Sequence, residues 1–134
     1  MHFAQRSIIA GAAAIAVAIS AAPASARNYN GAWPVTISHS QRDNGTGCLT
    51  LSGNRTSGQA SLVFGSFKYP YGSFIVLNGL LVVNITEPLY GQNGALMFIA
   101  PASRGHIGQG DFEDIRGGSN FDFGDLVFGD KNGC

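Results

Sequence analysis

The sequence predicts an all-β protein: a small antiparallel meander of about eight strands, an up-and-down barrel or a sandwich, tied by one disulfide. Three observations predict it. Turn residues recur about every eight to twelve positions. Between them the apolar residues alternate with period two or run continuously. Glycine, at 19 of 134 residues, suits turns, bulges and barrel corners far better than helix interiors.

Residues 1–26 read differently, as a cleavable signal peptide. Arg6 and the amino terminus supply a short positive region, and Ile8 to Ile19 is apolar and uncharged. That run is shorter than the roughly 20 residues needed to span a bilayer. Pro23 breaks the segment, and Ala24-Ser25-Ala26 offers small residues for cleavage before Arg27. Residues 27–134 are then one exported domain, secreted or periplasmic, with no membrane span of its own.

Along this domain, Trp33 to His39 alternates, with Trp33, Val35 and Ile37 on one face. Arg42 to Gly47 reads as a loop, Cys48 to Leu51 as a second strand and Ser52 to Ser57 as a turn. Gln59 to Phe64 follows, with Ala60, Leu62 and Phe64 in phase. Phe74 to Leu77 and Leu80 to Ile85 flank Asn78-Gly79, the dipeptide that a type I′ hairpin turn demands. Both runs are nearly apolar on both faces, which places them mid-sheet. A loop from Pro88 to Gly94 leads to a strand from Ala95 to Ala100 that Pro101 stops. Two more strands fall around Phe112, Ile115, Phe121, Phe123 and Leu126-Val127-Phe128.

The charge balance excludes some partners. The chain carries 8 basic and 8 acidic residues, and the leader removes only Arg6. A near-neutral chain lacks the basic face that nucleic acid requires. The charge is uneven, however. Arg27, Arg42, Arg55 and Lys68 face only Asp43 in the first part, whereas Asp111, Glu113, Asp114, Asp122, Asp125 and Asp130 outnumber Arg116 and Lys131 in the last. Cys48 and Cys134 both lie in the exported part, where an even pair forms a disulfide in preference to a two-thiol metal site.

Candidate functional residues are few. Phe67-Lys68-Tyr69-Pro70-Tyr71-Gly72 sets three aromatics at alternate positions in a loop, so Tyr69 and Tyr71 offer flat faces for a ligand or cover the end of the core. Gly117-Gly118-Ser119-Asn120-Phe121-Asp122 partly matches the calcium-binding β-roll repeat, which makes Asp122 and Asp125 the calcium candidates. Only one such turn is present, and Gly124 stands where the repeat places a large aliphatic residue. No nucleophile elbow, zinc-protease motif or cofactor fingerprint occurs. A small hydrolase would need His39 or His106 beside an acid. The leading expectation is a non-catalytic binding or interaction protein without a cofactor, its ligand meeting Trp33, Tyr69 and Tyr71. The alternative is a structural or cell-surface assembly protein.

Gly31-Ala32-Trp33 before the first strand resembles the G-x-W opening of the calycins, the lipocalin and avidin group of up-and-down barrels. The resemblance implies that Trp33 plugs one barrel end and that a late basic residue, Lys131, packs over it. The exported part also resembles small exported bacterial β-proteins through Gly31 to Trp33, Cys48, Gly117 to Phe121 and Phe128 to Cys134. That likeness implies a fold and no chemistry.

Overall fold

A computed structural model describes residues 28–88 and 94–134. The leader, Arg27 and most of the loop expected after Pro88 lie outside the described residues. Ten strands form: β1 (Gly31–Ser38), β2 (Gly45–Gly53), β3 (Ser57–Phe64), β4 (Phe67–Tyr69), β5 (Gly72–Leu77), β6 (Leu80–Thr86), β7 (Ala95–Ser103), β8 (His106–Ile107), β9 (Gly110–Arg116) and β10 (Ser119–Phe128). Eight of them close a ring in the order β2-β1-β10-β9-β7-β6-β5-β3, because β3 also pairs with β2. Every pairing is antiparallel. The two short strands hang outside the ring, β4 on β3 and β8 on β7. The protein is therefore an antiparallel barrel and not a sandwich. Among the described residues no helix is long and apolar enough to cross a membrane.

An eight-stranded barrel is just wide enough for side chains to fill it or for one small ligand. Period-two alternation sends Val35 and Ile37, Leu49 and Leu51, Ala60 and Leu62, Leu81, Val83 and Ile85, and Phe98 and Phe112 inward, where all are buried. Phe98 and Phe112 meet edge to face at 5.7 Å between centroids. The Asn78-Gly79 hairpin forms as expected, with φ of 54° and 77° at the two turn residues. Gly117-Gly118 adopts the same positive-φ pair, 61° and 80°, so the glycines that resembled a β-roll make the β9–β10 hairpin turn.

Several details differ from expectation. Strand β2 begins at Gly45 and runs to Gly53, which shortens both flanking loops. Phe67–Tyr69, expected as loop, pairs with Leu62–Phe64 as β4. Strand β7 continues through Pro101 to Ser103. Strand β9 leaves β7 after Ile99, so the missing Pro101 N–H interrupts no bond there. Finally, β5 and β6 are not covered on both faces. Ile75, Leu77 and Leu80 point outward, and Leu77 is 63% exposed.

Cys48 and Cys134 form the disulfide, with Cα atoms 6.0 Å apart and a sequence separation of 86. The tail reaches β2 by crossing Pro34 of β1, where the Gly129 N–H donates to the Pro34 carbonyl at 2.7 Å. Such a bond is compatible with an oxidising compartment.

Candidate functional site

The two barrel ends differ. Strands β1, β7 and β10 terminate or begin so that Tyr29, Trp33 and Phe128 gather at one end. Trp33, only 4% exposed, donates its indole N–H to the Tyr29 carbonyl at 2.9 Å. It meets Phe128 edge to face at 6.1 Å. Outside this plug is a shallow depression that Lys131, Asn132 and His106 also line. Lys131 Nζ donates to the Asn28 carbonyl at 3.0 Å, and the Asn132 side-chain oxygen accepts from Ala32 N–H at 3.1 Å. Lys131 and Asn132 thus already have protein partners.

The opposite end is open. Here β1 runs out into the loop 39–44, β3 into β4, β6 into Glu87, and β9 turns into β10. A cavity of about 190 Å³ sinks into the barrel, walled by Ile37, Leu62, Leu96 and Phe112. Phe64, Phe67 and Tyr69 form an aromatic side. The Phe67 and Tyr69 rings stack at 6.4 Å. The remaining lining is charged: Arg42, Asp43, Glu87, Asp114 and Arg116.

Local sequence explains how these acids come inward. On β6 the inward series Leu81, Val83, Ile85 continues one step to Glu87, which ends up 2% exposed. Its N–H donates to the Gly94 carbonyl at 3.1 Å, which fixes the residue at the rim. On β9, Phe112 is followed in phase by Asp114, fully buried. On β10 the inward series Leu126, Gly124 ends in Asp122, also buried.

Asp122 is a builder and not a free group. Its carboxylate accepts the Ser40 hydroxyl at 2.5 Å and the N–H groups of Gln41, Arg42 and Phe123 at 3.1, 2.9 and 2.9 Å. These donors hold its carboxyl well below the usual range, against the opposing pull of burial. The loop 39–44 is thereby pinned over β10. Gly124 makes room for it, since a Cβ there would lie 2.7 Å from the Ser38 carbonyl. Ser40 Oγ also accepts the Asp43 N–H at 2.7 Å, which aims Asp43 at the cavity.

Asp114 pairs with Arg116, whose Nη2 and Nε lie 3.1 and 3.4 Å from its oxygens. The Arg116 guanidinium sits 3.9 Å over the Phe121 ring, and that of Arg42 lies 4.7 Å from the same ring. Asp114 is also within hydrogen-bonding reach of both Asp43 and Glu87. Burial first, and then Asp114, push the Asp43 carboxyl up to about 7. The same two causes push Glu87 up to about 8, with Arg116 opposing. Asp43 Oδ2 and Glu87 Oε1 are buried without a hydrogen-bond partner. A buried oxygen left in that state costs free energy that a bound ligand can return.

The residues expected from sequence do not form one site. Tyr69 lines the mouth, Tyr71 is 69% exposed and lines no cavity at the mouth, and Trp33 belongs to the plug. Asp122 and Asp125 point to opposite faces of β10. Among the described residues no group of three or more His, Cys, Asp or Glu side chains is arranged to hold a metal. His39 Nδ1 meets Asp125 Oδ2 at 2.8 Å, but on the outer surface. Sequence reasoning singles out Asp122 only as a calcium candidate and does not find Glu87 or Asp114 as site residues, although all three fall in phase with an apolar inward series.

Comparison with known proteins finds no matching family model, no matching curated protein and no matching solved structure.

Proposed function

We propose that this is an exported small-molecule-binding barrel whose ligand enters the open mouth, contacts the aromatic side and hydrogen-bonds to the carboxyl cluster. The observation that carries the reading is Glu87 Oε1, a buried oxygen in the cavity lining with no protein partner. Natural interiors leave few such groups unmet. The space of about 190 Å³ equals about six waters at roughly 30 Å³ each, so a single-ring ligand or one end of a longer molecule fits. The larger depression at the plugged end is a poorer candidate because Lys131 and Asn132 there are already bonded within the protein and, among the described residues, no unpartnered buried side-chain oxygen lines it. Export agrees with the leader-like first 26 residues and with the disulfide.

The test is an NMR titration with benzyl alcohol, a single ring bearing one hydroxyl. The reading expects saturable shifts at Glu87, Leu96 and Phe112 and none at the Trp33 indole. Absence of saturable shifts, or shifts confined to Trp33, contradicts it.

A second reading, assembly with other copies, is favoured by one observation: the outward apolar row Ile75, Leu77 and Leu80. Concentration-dependent sedimentation supports it, and a constant monomer mass removes it.

A further inference from the structure

The chemistry of the mouth narrows the ligand class, an inference that rests on the binding role proposed above. Four acids converge there: Asp43, Glu87 and Asp114 in the cavity lining, and Asp122 behind Asp43. The cations facing them are Arg116, which pairs with Asp114 and stacks on Phe121, and Arg42, which stacks on the same ring and lies exposed. Tyr69 is the other titratable side chain of the lining. Asp122 has its four donors, and Asp114 has Arg116. Neither is provided for Asp43 Oδ2 or Glu87 Oε1, both buried and unpartnered.

We infer that the ligand is a small organic monocation, an amine carried on a single-ring apolar body, whose ammonium is received by Glu87 and Asp43 while its ring lies against Phe67 and Tyr69. An ammonium offers the donors that these two oxygens lack, and it supplies the counter-charge that Glu87 and Asp43 need once ionised, Arg116 being paired with Asp114. Aromatic faces attract the same cation, most strongly where water is excluded. A neutral alcohol would meet the oxygens without relieving the repulsion, and a carboxylate ligand would add to it.

The proton balance is explicit. Glu87 and Asp43 are raised to about 8 and about 7, so at pH 6 both carry protons. When the ammonium enters, one O–H bond breaks, the proton leaves to solvent, and the carboxylate is held against the ammonium. Binding is therefore coupled to release of one proton, and affinity rises about tenfold per pH unit until the carboxyl is ionised on its own.

The experiment compares benzylamine, benzyl alcohol and benzoate on the whole protein by calorimetry at pH 5.5, 6.5 and 7.5. Expected is a benzylamine affinity that climbs about tenfold per unit and exceeds that of benzyl alcohol at least tenfold at pH 7.5. Repeating the pH 6.5 titration in buffers of different ionisation enthalpy should count about one proton released. Glu87→Gln should remove the slope and the preference while benzyl alcohol still binds. Asp43→Asn should reduce both, and it serves if Glu87→Gln misfolds. If benzyl alcohol binds and benzylamine is no tighter, or its affinity is flat with pH, the amine inference is overturned while the binding role stands. Tightest binding of benzoate overturns it too. If none of the three binds, the binding role falls with it.

Discussion

The Ser40 hydroxyl donates to Asp122 Oδ2 at 2.5 Å across 82 residues of sequence. This contact joins the first loop of the barrel to its last strand and decides where Asp43 points. The carboxyl cluster is therefore assembled by a carboxylate that takes no part in lining the cavity.

Asp122→Ala removes the acceptor of four hydrogen bonds and strands the N–H groups of Gln41 and Phe123, while the Arg42 N–H keeps the Ser40 hydroxyl oxygen. Each buried donor left without an acceptor costs about 1–3 kcal/mol. Denaturant unfolding should show that loss. Asp125→Ala, which breaks only the exposed pair with His39, should change stability by less than about 1 kcal/mol.

Stability should fall as pH rises from mildly acid to alkaline. Folding raises Asp43 from 3.8 to about 7 and Glu87 from 4.5 to about 8. Between those limits the folded state binds more protons than the unfolded chain, so the slope is negative, and it flattens above about pH 8. Asp122 acts in the opposite sense: its lowered carboxyl stabilises fully above 3.8 and loses that contribution as pH drops further. The maximum should lie near pH 4–5, with a decline that continues to about pH 8. Glu87→Gln should flatten the alkaline arm. A wild-type maximum at pH 7–8 contradicts the assignment.

Much of this architecture is legible in the sequence. Asn78-Gly79 and the alternation of Trp33, Val35 and Ile37 mark strands because turn chemistry and burial act locally. Closure of the barrel is not legible, since β3 pairing with β2 and β10 with β1 depends on contacts far apart in the chain. The tyrosines drew attention as exposed aromatics, yet only Tyr69 meets the cavity, because β4 turns it inward while Tyr71 falls beyond the strand. Glu87 is hard to read because it lies one step beyond the apolar inward series that ends at Ile85. Its burial becomes meaningful only with Asp114, which arrives from a non-neighbouring strand.

Trp33→Phe should separate the two barrel ends. It removes the bond to the Tyr29 carbonyl and part of the packing on Phe128, at a cost of about 1–3 kcal/mol. Benzyl alcohol affinity at the mouth should not change. Tyr71→Ala should alter stability by less than about 0.5 kcal/mol.

Reduction of Cys48–Cys134 opens a loop of 86 residues, worth about 4–5 kcal/mol in the chain-entropy account. Guanidinium midpoints with and without reductant should differ accordingly, and amides of residues 129–134 should exchange faster after reduction.

The most direct test of the central claim, a proton-bearing Glu87 in the cavity lining with Oε1 unpartnered, is a pH titration of its side-chain carboxyl carbon by NMR. The structure predicts a midpoint well above 4.5, near 8, that drops when benzylamine is added. A midpoint near 4.5, unmoved by the amine, would contradict it.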